Sequence, residues 1–144
     1  MKNILFVCTA NTCRSAMANG IFRFLNDKYE KNFSCDSCGI MANGSPAAEN
    51  AVLALNEMYA ADISSHKSKT ISRELVDWAD EIFVVGKSHA GHILSYFPSA
   101  ADKLYVANPE VSDPFMQDLE VYKNTAEELY SQIQNRYFSE ETDG

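Results

Sequence analysis

Asn3-Ile4-Leu5-Phe6-Val7-Cys8-Thr9-Ala10-Asn11-Thr12-Cys13-Arg14-Ser15 decides the fold. Four consecutive apolar residues, Ile4 to Val7, leave no solvent face, so Asn3 to Cys8 predicts a short central strand buried on both sides. From Arg14 the pattern becomes helical, with Met17, Ile21, Phe24, Leu25 and Lys28 on one stripe. Strand, loop and helix arrive in the order that anion-binding α/β turns require. With Cys8 and Arg14 at its ends, the loop can curl around a tetrahedral oxyanion: backbone N–H groups point inward, the guanidinium closes one side, and the thiol sits beneath the central atom. Thr9, Ala10, Asn11, Thr12, Cys13, Arg14 and Ser15 are therefore the candidate phosphate-binding residues.

The rest of the chain repeats the alternation. Phe33 to Cys38 predicts a second strand; the turn-rich Asn43-Gly44-Ser45-Pro46 leads into a helix through Val52, Leu55 and Tyr59. Ile63 to Thr70 is polar and loop-like, Glu74 to Asp80 suits a short helix, and Glu81 to Val85 reads as a third buried strand. A helix over Ser88 to Phe97 uses His89, His92, Ile93, Tyr96 and Phe97 as its apolar set, and Pro98 stops it. A fourth strand follows at Lys103 to Val106. After a loop from Asn108 to Pro114, Leu119, Tyr122, Ala126, Leu129, Ile133 and Tyr137 step by threes and fours along a long terminal helix. Such alternation predicts an α/β fold with a parallel sheet covered on both faces, its ligand at the carboxyl ends of the strands. Cys8 stands at one such end.

At 144 residues and 46% hydrophobic, the chain is expected to form one domain over 1–144 whose core needs no covalent staples. Ile4 to Val7 is too short for a signal-peptide core or a membrane span, so a cytoplasmic protein with reduced thiols is expected. A net charge of −8, with an acidic end from Ser139 to Gly144, argues against a nucleic-acid partner. It also makes a lone anion site more telling, because Arg14 and the loop amides must overcome the background field locally.

Cys8 lies beside a cation and before a helix start, both of which favour the nucleophilic thiolate. Arg14 supplies a planar fork that can hold two equatorial oxygens of a phosphoryl group, where charge spreads in the transition state. No metal-ligand cluster appears, and the chemistry needs neither metal nor cofactor. A leaving group still requires a proton that a thiolate cannot give. Asp113, in Ser112-Asp113-Pro114-Phe115, is the candidate acid, and the same carboxylate can later activate water. By position alone it would read as a turn residue before proline.

These residues resemble the low-molecular-weight protein tyrosine phosphatase family, including its bacterial arginine phosphatase members. The likeness spans nearly the whole chain: Cys8 to Ser15 looks like the signature, Ile63-Ser64-Ser65-His66-Lys67-Ser68 the middle segment, and Asp113-Pro114-Phe115 with Val121-Tyr122-Lys123 the late acid loop and following helix. It implies a single-domain, three-layer sandwich with a four-stranded parallel sheet, of the phosphotyrosine protein phosphatase I type. It also implies a phosphocysteine intermediate with Cys8, Arg14 and Asp113 catalytic. The implied partner is a phosphorylated protein, with no nucleic acid or membrane, the chain acting as a monomer or weak dimer.

Departures from the family pattern carry their own expectations. Ala10 stands where glycine is usual, which would stiffen the loop or disfavour a positive φ there. Ala16 replaces a common proline, a small loss in a helix. Met116-Gln117 follows Phe115 where a glycine or second aromatic is common. Tyrosine-directed members carry an aliphatic residue at the position of Thr12 and paired aromatics after Asp-Pro; phosphoarginine-directed ones look like this chain. Thr12 and Phe115 are thus the candidate specificity residues, with phosphoarginine favoured over phosphotyrosine.

Cys13 has two readings, a redox partner that shields Cys8 by a reversible disulfide and a small packed thiol behind the loop. Cys35 and Cys38 form Cys-x-x-Cys on a predicted strand, which reads as burial, since two thiols do not complete a zinc site. Asn11 is expected to brace the loop, with His66 and Ser37 or Ser45 as partners; His89 and His92 read as helix-face residues, and Trp78 as packing. Two rivals remain: an arsenate reductase, which needs late resolving cysteines although none follows Cys38, and a phosphoprotein-binding module without turnover.

Overall fold

The computed structural model describes residues 2–139, so the acidic stretch beyond Ser139 lies outside the described residues. Strands β1 (Asn3–Cys8), β2 (Ser34–Gly39), β3 (Glu81–Val84) and β4 (Leu104–Val106) form one parallel sheet in the order β2-β1-β3-β4. Between and after them run α1 (Arg14–Lys28), α2 (Glu49–Tyr59), α3 (Arg73–Trp78), α4 (Lys87–Tyr96) and α5 (Leu119–Tyr137). The α/β class and the four-stranded parallel sheet are as expected. No described helix is long and apolar enough to cross a membrane.

The period of two along the strands sorts the core. Ile4, Phe6 and Cys8 of β1, with Phe83 of β3, face a layer made by α1, α2 and α5, whose buried residues include Met17, Phe22, Leu55, Tyr122 and Leu129. Leu5 and Val7, with Ile82 and Val84, face the opposite layer through Val76 of α3 and Ile93 of α4. Phe6 meets Phe22 and Phe83 at ring-centroid distances of 5.7 and 5.4 Å. Fully burying side chains of this size contributes about 1.5–3 kcal/mol each. Cys35 and Cys38 fall on opposite faces of β2, Cys35 half-buried and Cys38 fully buried, and burial pushes both thiols up, Cys35 to about 12.

Several boundaries differ from those predicted. Pro98 does not simply end a helix: it opens a 3-10 turn, Pro98–Lys103, so β4 begins at Leu104. Lys103 then reaches back, its Nζ donating to the carbonyls of Val76 and Ala79 at 2.7 and 3.0 Å, which ties off the end of α3. α3 is shifted to Arg73–Trp78 because Ser72 caps it, accepting from the Leu75 amide. On α4 only His89 and Ile93 are fully buried; Tyr96 is 66% exposed, so the apolar face is narrower than its spacing suggested. The 63–70 segment is a loop, yet it is stitched to the end of β2 by a bridge from Gly39 to Thr70 and to the loop before α2 by one from Pro46 to Lys67.

Candidate active site

The carbonyls of Cys8, Thr9, Asn11, Thr12 and Cys13 in the β1-to-α1 loop bond outward, away from its centre. The Cys8 and Thr9 carbonyls accept from the amides of Ile40 and Met41 at 3.0 and 2.9 Å. Thr12 accepts from Ala48 at 2.9 Å, Cys13 from Met17 at 2.9 Å, and Asn11 from His66 Nε2 at 2.7 Å. Carbonyls pulled outward leave the amides to face the concavity, the arrangement that holds an anion. Gly39 permits the close approach: a Cβ there would lie 2.5 Å from the Thr9 carbonyl oxygen. α1 starts at Arg14 with no side-chain cap and no acid in its first turn, so its positive end stays open to a ligand.

Asn11 is the brace. It is fully buried at φ 61°, a left-handed conformation that asparagine tolerates better than most residues. Its Nδ2 donates to Ser15 Oγ at 2.7 Å and Ser37 Oγ at 3.0 Å, and its Oδ1 accepts from the Lys69 amide at 3.0 Å. Ser37 is the second partner; Ser45 is not, because its hydroxyl bonds Asn43 instead. The strained position is thus Asn11 and not Ala10, whose φ is not positive, so the missing glycine carries no backbone cost.

Cys8 Sγ lies 2.9 Å from Ser15 Oγ, and Ser15 Oγ also lies 3.3 Å from the Cys38 carbonyl. Arg14 crosses the loop and is only 8% exposed. Its Nη1 donates to the Val111 carbonyl at 3.0 Å, and its Nη2 donates to Thr9 Oγ1 at 3.4 Å and lies 3.7 Å from Asp113 Oδ2. Its Nε is buried with no partner, an orphaned cationic donor. Asp113, half-exposed, both closes a turn and faces the cavity's cation: Oδ1 accepts from the Phe115 amide at 3.1 Å, as a turn residue does, while Oδ2 is turned to Arg14. The Val111 amide donates to the Val85 carbonyl at 2.9 Å, which docks this late loop at the carboxyl end of β3.

These groups enclose a cavity of about 230 Å³ lined by Cys8, Thr9, Ala10, Thr12, Cys13, Arg14, Asp113 and Phe115. Every predicted site residue except Asn11 and Ser15 lines it, and those two support it from behind. Cys13 is a free thiol, like Cys8. Burial pushes it up although bonds to Tyr122 Oη at 3.3 Å and Thr12 Oγ1 at 3.8 Å pull the other way, which favours the packed-thiol reading at rest. A second, polar cavity of about 200 Å³ lies behind the loop, lined by Asn19, Arg23, Asp36, Ser37, His66 and Lys69 among others. It lacks the Cys8 thiol and Arg14, and the sequence-predicted nucleophile and cation meet only in the first. Among the described residues no His, Cys, Asp or Glu cluster could hold a metal ion.

Sequence reasoning missed three contributors. Tyr122 and Val111 reach the loop only through tertiary approach. His89, expected on the apolar face of its helix, is buried there at 6% exposed, and what the sequence did not show is that its Nε2 lies 3.0 Å from Thr9 Oγ1. Its signal was the spacing to Ile93, four residues on along the buried stripe of α4.

The family model for low molecular weight phosphotyrosine protein phosphatase matches residues 3–140. A protein-arginine-phosphatase from Geobacillus stearothermophilus is 33% identical over 90% of this chain and 90% of its own. The crystal structure of a low molecular weight protein tyrosine phosphatase from T. tengcongensis superposes with a TM-score of 0.90 at 39% identity, covering 93% of this chain and 96% of that one. YwlE arginine phosphatase, solved as a mutant with a phosphorylated active-site serine, gives a TM-score of 0.87 at 29% identity over 94% of this chain and 97% of its own. Other relatives are named low molecular weight protein-tyrosine-phosphatase and arsenate reductase.

Proposed function

This chain belongs to the low molecular weight phosphotyrosine protein phosphatase family and is a protein phosphatase, and from that premise we propose that Cys8, Arg14 and Asp113 hydrolyse phosphoarginine on proteins through a phosphocysteine intermediate. The observation that carries the reading is the orphaned Nε of Arg14, a buried cationic donor in the same cavity as Cys8 and beside an uncapped helix start. A phosphoryl oxygen is the acceptor this donor lacks.

In the first step the Cys8 thiolate attacks phosphorus, the bond from phosphorus to the guanidine nitrogen breaks, and Asp113 gives its proton to that nitrogen. In the second, the Asp113 carboxylate takes a proton from water, whose oxygen attacks phosphorus. The bond from sulfur to phosphorus breaks, and Cys8 returns as thiolate with inorganic phosphate released. Ser15 serves both forms of Cys8: its single hydroxyl proton turns to the thiolate, or to the Cys38 carbonyl when Cys8 carries its own. Arg14, fixed by Val111 and Thr9, meets the equatorial oxygens where charge develops.

Thr12 and Phe115 support the substrate preference. A guanidinium is planar and rich in N–H donors, so a threonine hydroxyl can accept from it and one aromatic face can stack on it. Both side chains line the cavity. Phosphotyrosine hydrolysis is the second reading, favoured by the family's name and served by the same steps with a phenolic oxygen leaving. Arsenate reduction is disfavoured because no cysteine follows Cys38 to relay a disulfide.

Hydrolysis of an aryl phosphate by the wild type and by Cys8→Ser tests the chemistry; a fully active Cys8→Ser protein would end it. Comparing kcat/KM on phosphoarginine and phosphotyrosine before and after Thr12→Ile tests the preference. A shift toward phosphotyrosine of about ten- to a hundredfold is expected, and an unmoved ratio removes Thr12 from the account.

A further inference from the structure

We infer that His89 is a positioning residue of this site: by holding the Thr9 hydroxyl it fixes the rotation of the Arg14 guanidinium and hence the donor face that Arg14 offers to a phosphoryl group. The inference rests on the phosphate-binding role proposed for Arg14.

A planar guanidinium on a flexible stem is set by where its ends are held. One end of Arg14 is held by a backbone group, the Val111 carbonyl, on Nη1. The other is held by a side chain, Thr9 Oγ1, on Nη2. Thr9 lies on the exposed rim of the loop, where a hydroxyl is free to take any of three staggered rotamers and turn to water. His89 removes that freedom. Its Nε2 is 3.0 Å from the same Thr9 oxygen, and its ring is buried in the first turn of α4, its amide anchored on the Gly86 carbonyl at 3.2 Å. The chain from His89 through Thr9 to Arg14 thus transmits a fixed position from a helix in the sheet's covering layer to the loop.

The ring is poorly explained as packing. Its Nδ1 is buried with no partner, a cost that a leucine at the same place would not carry. The charged groups acting on it are Arg14, Asp113 and Glu110, and the Gly86 backbone lies beside it. Burial first, then the Arg14 charge, hold its titration below the usual histidine range against the pull of Gly86 and the two carboxylates. A neutral ring can bond Thr9 without placing a second cation beside Arg14.

The experiment is a mutant cycle on the purified full-length protein, read by aryl phosphate turnover and competitive inhibition by inorganic phosphate. His89→Ala is expected to lower kcat/KM and to raise the phosphate inhibition constant, each by about tenfold, the scale of one hydrogen bond. Thr9→Val should do the same, and His89→Ala placed on Thr9→Val should add little, because the first change already breaks the chain. His89→Gln, which keeps a hydrogen-bonding group on a side chain of similar reach, should recover part of the loss. Should His89→Ala unfold, the Thr9→Val and His89→Gln proteins carry the test alone, with thermal unfolding recorded for each.

Losses that multiply in the double variant, or a phosphate inhibition constant unmoved by His89→Ala and His89→Gln, overturn the inference. Cys8→Ser run alongside separates the two levels. If it keeps full turnover, the site assignment falls and His89 with it; if it is inactive while His89→Ala behaves as wild type, His89 alone falls.

Discussion

Replacing Asn11 with alanine removes the brace of the loop without touching the cavity. Three hydrogen bonds go, to Ser15, to Ser37 and from the Lys69 amide, each worth roughly 0.5–1.5 kcal/mol net. Alanine must also hold the φ of 61° that asparagine accepts, at about 1–2 kcal/mol. Together these come to about 2.5–6.5 kcal/mol. In a chain of this size that lowers Tm by on the order of 10 °C, measured by circular dichroism with the variant and wild type side by side. Asn11→Gly separates the two parts: it loses the same bonds but accepts the positive φ, so it should be about 1 kcal/mol more stable than Asn11→Ala. Turnover should fall in both, because Ser15 loses the donor that sets its orientation toward Cys8. A Tm within about 2 °C of wild type for Asn11→Ala, or Asn11→Gly less stable than Asn11→Ala, would refute this reasoning.

Met116 also holds a positive φ, 64°, but is 83% exposed, so Met116→Gly should stabilise by about 1 kcal/mol, seen as a higher urea midpoint with an unchanged slope. Gly39→Ala drives a Cβ into the Thr9 carbonyl, and phosphate inhibition should weaken more than Tm falls; a large Tm loss with normal phosphate binding would contradict it. Burial alone would raise Glu81, yet the hydrogen bonds of Arg136, at 2.6 and 2.8 Å, and of Tyr137, with the Arg136 charge, hold it below the usual carboxylate range. Its contribution to stability is therefore present above the unfolded glutamate value and lost as pH falls through the folded one, and Glu81→Gln should flatten that acid limb of urea stability.

The site was legible in the sequence where its parts are local. Strand, loop and helix are contiguous from Asn3 to Lys28, and the spacing of Cys8 to Arg14 states the ligand's chemistry before any fold is drawn. Asp113 was legible for a different reason: the mechanism lacked an acid, and an Asp-Pro in a late loop at the sheet edge could supply it. The parts that escaped are those made by approach over long sequence distance. His89 comes to Thr9 from 80 residues away, the Val111 carbonyl to Arg14 from 97, and Tyr122 to Cys13 from 109. No periodicity announces such meetings, and a backbone carbonyl leaves no residue-type signal at all. The concern over Ala10 failed because it assumed which loop residue takes the left-handed turn; Asn11, whose side chain can pair while it does so, takes it instead.

The central claim is that phosphate passes through Cys8, and the direct test is to trap it there. Asp113→Asn, expected to slow departure of phosphate from the enzyme by removing the proposed base, is mixed with an aryl phosphate, quenched in acid within the first turnover and digested for mass spectrometry. The account predicts a phosphoryl adduct on the peptide carrying Cys8, absent from Cys8→Ser/Asp113→Asn at sulfur. An adduct on another residue, or steady hydrolysis with Cys8 never modified, would contradict it.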